Sequence, residues 1–130
     1  MAGMSALDKP STVRHCRLMP SKELVAASTV PLVLSVLAAG ENYGYALIQR
    51  VRELSGDRIQ WTEGMLYPVL HWMEEQGLIK SEWRASESGR QRKYYRLVKN
   101  GRKALEAEKE EWMSVHETLA KLWKTQTHLT

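Results

Sequence analysis

Apolar positions along the chain recur at helical spacing in four stretches and alternate in two. The first helical stretch runs from about Ser21 to Ala39, with Ser21 placed to cap it. Leu24 rather than an acid or Gln stands three residues on, so no capping box forms. Pro31 lies inside this stretch. Because proline removes a hydrogen bond and crowds the previous turn, a short helix to about Ala27 is expected. A new helix, capped by Ser28 or Thr29, then follows, with Pro31 in its first turn and Gly40 at its end. The next helix is expected from Asn42, as cap, to Ser55, with Tyr45, Ile48, Val51 and Leu54 on the inner face. A third begins near Thr62, turns Leu66, Val69, Leu70 and Met73 inward, kinks, is reset or takes a π-bulge or 3₁₀ turn at Pro68, and stops at Gly77. Residues 79–83 and 92–98 read as strands joined by a loop over 85–89, with Tyr95 and Leu97 inward and Arg96 outward. The last helix spans about 101–124, where Leu105, Trp112 and Leu119 recur every seven residues beside Val115 and Leu122, a seam interrupted at Glu108.

This order predicts a mostly α protein with a two-stranded β-hairpin wing. It is a winged helix-turn-helix over 21–98, followed by a long dimerisation helix over 99–124. Residues 1–20 and 125–130 read as tails. A helix this long outruns so small a domain, and Trp112 and Trp123 in its second half need cover, so a homodimer is expected.

Charge adds a direction. The net charge is only +4, but 84–103 holds eight Lys or Arg and one acid, Glu87. Such a run suits a polyanion such as DNA, and equally describes a solvated face. The single cysteine, Cys16, excludes an internal disulfide and fits a reducing, cytoplasmic setting. With His15 it supplies two ligands, short of a usual zinc site, so no metal is expected. No signal peptide is read at the N-terminus, and the apolar run from Val30 to Ala39 is too short to span a bilayer. The histidines are dispersed and no phosphate loop precedes a helix, so neither catalysis nor a cofactor is expected.

Four stretches and one glycine resemble the PadR family of bacterial transcriptional regulators. Tyr43-Gly44-Tyr45-Ala46-Leu47-Ile48 resembles the opening of the family's second helix, and Glu63-Gly64-Met65-Leu66-Tyr67-Pro68-Val69-Leu70 its recognition-helix motif. Glu74-Glu75-Gln76-Gly77-Leu78-Ile79 resembles that helix's exit, and residues 89–97 the second wing strand. Gly101 matches the glycine opening the final helix. The single C-terminal helix resembles the smaller size class. Met65 and Val98 depart from the pattern, standing where Thr is usual, so the final helix needs another cap, for which Asn100 is the candidate.

The resemblance implies double-stranded DNA as partner, read as a roughly palindromic operator by a two-fold dimer. Thr62, Glu63, Gly64 and Met65 would reach base edges, with Tyr67 and His71 one and two turns on. Thr62 reads equally as a plain N-cap, Glu63 as a complement to the helix dipole, Tyr67 as a half-buried core residue and His71 as solvent-facing. Arg84, Arg90, Gln91, Arg92 and Lys93 of the wing would supply phosphate contacts, and Tyr43 a further one through its hydroxyl. The family's response to small aromatic or lipophilic effectors implies a repressor relieved by such a ligand. Trp112, Met113, Val115, His116 and Leu119, with Leu105, Leu122, Trp123, Val33 and Leu37, would line an effector pocket or simply the dimer core. The competing reading is a winged-helix protein-interaction module without DNA binding.

Overall fold

The computed structural model describes residues 21–129. Its elements are α1 (Lys22–Ala39), β1 (Asn42–Tyr43), α2 (Gly44–Leu54), α3 (Glu63–Glu75), β2 (Ile79–Ala85), β3 (Gln91–Leu97) and α4 (Lys99–Leu129). The strands form one antiparallel sheet in the order β1-β3-β2. This is the expected winged helix-turn-helix with one more strand. The expectations for residues 1–20, including Arg14, His15, Cys16 and Arg17, lie outside the described residues.

α1 corrects the split at Pro31. Ser21 caps it, accepting from the Leu24 N–H at 3.1 Å, and the helix then runs unbroken to Ala39. Thr29, Val33, Leu34 and Leu37 are buried on both sides of the proline. Burying this stripe offsets the roughly 3 kcal/mol an interior proline costs. Ser28 and Thr29 cap nothing; both hydroxyls donate back to the Val25 carbonyl, at 2.9 and 2.8 Å, which keeps them inside the helix. Unbroken, α1 is long and apolar enough to cross a membrane by length and composition alone, which the run from Val30 is not. Its buried residues instead belong to the domain core.

α2 begins one residue later than expected, with Tyr43 at its cap position. Asn42 and Tyr43 are drawn into the sheet, opposite Tyr95 and Tyr94 of β3. Asn42 therefore does not cap α2, and its Oδ1 accepts from the Tyr43 N–H at 3.0 Å. The buried face is Gly44, Leu47, Ile48 and Val51, whereas Tyr45 and Leu54, expected inside, are exposed. Gly44 sets this face: a Cβ there would stand 2.5 Å from the Tyr67 hydroxyl, so the tyrosine of α3 packs directly on the backbone of α2.

α3 starts as expected. Thr62 accepts from the Met65 N–H at 3.2 Å, and Leu66, Leu70 and Met73 are buried. Pro68 lies within a continuous α-helix, with no 3₁₀ or π segment. The exit is a Schellman stop, with Gly77 at φ 76°, its N–H bonded to the Glu74 carbonyl and that of Leu78 to Met73. The wing follows, its turn closed by hydrogen bonds between Ser86 and Arg90 and between Gly89 and Ser86. Tyr95 and Leu97 are buried and Arg96 is exposed, as alternation predicts.

α4 starts before Gly101. Val98 takes the cap position, its carbonyl accepting from the Arg102 N–H, so Asn100 lies inside the helix and caps nothing. The helix also continues beyond Lys124, where a tail was expected, because no glycine or proline follows to stop it. Val33, Leu37 and Leu105 all join the core of the winged domain. Trp61, which the periodicity did not single out, is buried there too. It stands immediately before the Thr62 cap, the place from which an apolar residue can staple onto the helix's fourth position, here Leu66, and both belong to the core cluster.

Candidate nucleic-acid interface

The N-terminal ends of α2 and α3 and the outer wing enclose a cleft of about 570 Å³. Seven of the expected DNA residues line it: Tyr43, Glu63, Tyr67, Arg90, Gln91, Arg92 and Lys93. Thr62 and Gly64 are exposed at the start of α3, and nothing lies within 4 Å of a Cβ built on Gly64, so a flat ligand can approach the backbone there. The Thr62 oxygen is already engaged as a cap. Tyr67 is partly exposed, and burial with the nearby Glu63 carboxylate raises its pKa, keeping the phenol protonated as a donor.

Three expected residues are placed elsewhere. Met65 packs against the core. His71 faces solvent one turn from Glu75, 3.1 Å from its carboxylate. Arg84 is held by Glu41 through a bidentate pair at 2.8 and 2.9 Å and by Glu82 at 3.2 Å. The Arg84 hydrogen bonds hold the Glu41 carboxyl below its usual pKa. Conversely Tyr45, Trp83 and Tyr95 line the cleft without having been singled out for it. Trp83 was findable: in the hairpin register it sits directly across from Lys93. Tyr95 is half core, and burial pushes its phenol up to about 12.

Cations and rings are interleaved on the wing. Arg92 lies over Tyr43 at 4.4 Å and Arg84 over Tyr94 at 4.9 Å, and Tyr43 meets Tyr94 edge-on at 5.5 Å. Lys93 sits at the outer limit of such contact with Trp83, at 5.9 Å, and with Tyr95, at 5.8 Å. Among the described residues, no carboxylate forms an ion pair with Arg90, Arg92 or Lys93.

Away from the cleft, α4 leaves Trp112, Met113, Val115, Leu119, Leu122 and Trp123 exposed. Glu108, the interruption in the seam, accepts from the Trp112 indole N–H at 3.2 Å. A shallow apolar groove of about 290 Å³ runs between α1 and α4. Leu105, Trp112 and Met113 line its α4 side, but its α1 side is Ser28, Pro31, Leu32 and Ser35 rather than the buried Val33 and Leu37. No group of metal-ligating side chains occurs among the described residues.

The profile of the transcriptional regulator PadR-like family matches residues 33–107, more than half of the chain and all of the cleft. The chain belongs to the PadR-like family. It is thus a DNA-binding transcriptional regulator and not an enzyme. Among PadR-family structures, that from Eggerthella lenta DSM 2243 is 32% identical, covers 92% of this chain and 96% of its own, and superposes with a TM-score of 0.68. The PadR family regulator from Clostridium difficile R20291 is 33% identical over 73% of this chain and 97% of its own, with a TM-score of 0.65. Transcriptional regulator Rv3488 of Mycobacterium tuberculosis is 41% identical over 73 residues, which are 56% of this chain and 64% of that protein.

Proposed function

We propose that this PadR-family regulator is a cytoplasmic homodimeric repressor that binds a roughly palindromic operator and is released by a small aromatic or lipophilic effector. The observation that carries the DNA reading is the cleft, which joins the exposed start of α3 to three wing cations that form no ion pair with a carboxylate among the described residues. The start of α3 presents Thr62, Glu63 and Gly64 to base edges, while Arg90, Arg92 and Lys93 neutralise phosphate. The exposed apolar row of α4 supports the dimer, because a patch so continuous calls for a partner surface. The groove beside Trp112 supports the effector site, being almost wholly apolar.

A gel shift with the DNA upstream of the protein's own gene, repeated at raised salt, tests the DNA reading. Binding is expected at low salt and should weaken steeply with added salt, since each phosphate neutralised releases counterions. Arg92→Ala should weaken binding to all sequences and reduce the log–log salt slope by about one. A duplex left unshifted at low salt overturns the reading in favour of an interaction module.

A further inference from the structure

Strand register places four side chains on one face of the wing. Tyr43 pairs with Tyr94, and Arg84 pairs with Arg92. Two guanidinium groups directly opposite one another repel, which destabilises a hairpin unless each finds another partner. Here each is drawn diagonally onto a ring. Arg84 leans over Tyr94 and is neutralised by the Glu41 fork. Arg92 leans the same way across the sheet, from β3 over Tyr43 of β1, and among the described residues no carboxylate forms an ion pair with it. The edge-on contact of Tyr43 with Tyr94 ties the two halves together. Of the two arginines on this rung, one is committed and one is available, and the ring of Tyr43 determines where the available one sits.

We infer that Tyr43 is a positioning residue for DNA binding, acting through its ring as the platform that aims Arg92 at phosphate, and that its hydroxyl is not itself the phosphate ligand. Arg84, held by Glu41, serves the same ladder as a structural member and not as a phosphate contact. This rests on the proposed DNA-binding role of the cleft and adds to it a division of labour between two arginines that the sequence does not distinguish. A planar guanidinium at 4.4 Å over a ring is within the range in which the ring face attracts it. Fixing a long side chain before binding also lowers the entropy lost when it meets its ligand.

The test uses the full chain and a labelled random-sequence duplex, with affinity measured across a salt series. Tyr43→Ala is expected to lower the salt slope by about one, as Arg92→Ala does, and the double variant to fall no further than either alone. Tyr43→Phe, which keeps the ring and loses the hydroxyl, is expected to restore the slope. Thermal melts identify a variant that fails to fold, in which case Tyr43→Leu, which fills the space without a π face, takes the place of Tyr43→Ala. An unchanged slope in the folded ring-less variant overturns the inference, as does additivity with Arg92→Ala. A Tyr43→Phe variant as weak as Tyr43→Ala also overturns it and assigns the contact to the hydroxyl. If the wild-type chain leaves the duplex free at low salt, the DNA-binding reading itself fails and this inference with it.

Discussion

At Gly101 a Cβ atom would run into the Leu78 carbonyl oxygen and stand 2.8 Å from the Leu97 side chain. That carbonyl already accepts from the Val98 N–H, so the backbone at the exit of α3, the end of the wing and the start of α4 meet within one contact. The obstacle is backbone, which cannot swing aside as a side chain does. Gly101→Ala is therefore expected to cost about 3 kcal/mol, at the upper end of overpacking, and to lower the melting temperature by more than about ten degrees. A melt within two or three degrees of wild type, about the scale of a neutral surface change, counts against this packing. Gly44 is tight for a different reason: its neighbour is the Tyr67 ring, a side chain that can move, so crowding there would disturb the cleft before it disturbed the fold.

The elements were legible wherever local chemistry acted alone. Thr62 and Ser21 cap their helices, Gly77 stops α3, and Tyr95 and Leu97 turn inward because the strand period requires it. Errors arose where distant residues decided. Pro31 is tolerated because residues on both sides of it are buried, and Asn42 and Tyr43 join a sheet whose other strand lies fifty residues further on. The cleft was legible by the same measure: the basic run marked the wing, but only tertiary contact shows that Glu41 removes Arg84 from it. That ion pair links the α1–β1 connection to β2, and it has a pH signature. Glu41 has a folded pKa below its ordinary value of 4.5, so its stabilisation is fully present above that value and is lost as pH falls through the lowered one. Glu41→Gln should accordingly melt below wild type at neutral pH, with the gap closing in acid. Parallel melting curves across that range would remove the ion pair from the account.

At the scale of the whole molecule the chain divides its surface in two. Cations and rings gather on the wing, while the apolar row of α4 lies away from them with α1 beside it. In the proposed dimer Trp112 is the natural anchor, since large aromatics dominate interface energetics. Trp112→Ala should weaken the dimer by at least about 2 kcal/mol, roughly thirtyfold in dissociation constant. Light scattering or sedimentation over a concentration series checks this, and an unchanged mass at every concentration together with unaltered effector response would set Trp112 aside.

The chain has five tryptophans and no phenylalanine, and the fold distributes them unevenly. Trp61 is sealed in the core at 4% exposure, Trp72 is exposed on α3, Trp83 stands at the cleft, and Trp112 and Trp123 stand on the row of α4. The molecule thus carries its own optical labels. One indole reports only whether the domain is folded, one is placed to darken or shift when a polyanion fills the cleft, and two are placed to change colour when α4 is covered. Single replacements at these sites would let folding, DNA occupancy and association be followed separately in the unlabelled protein.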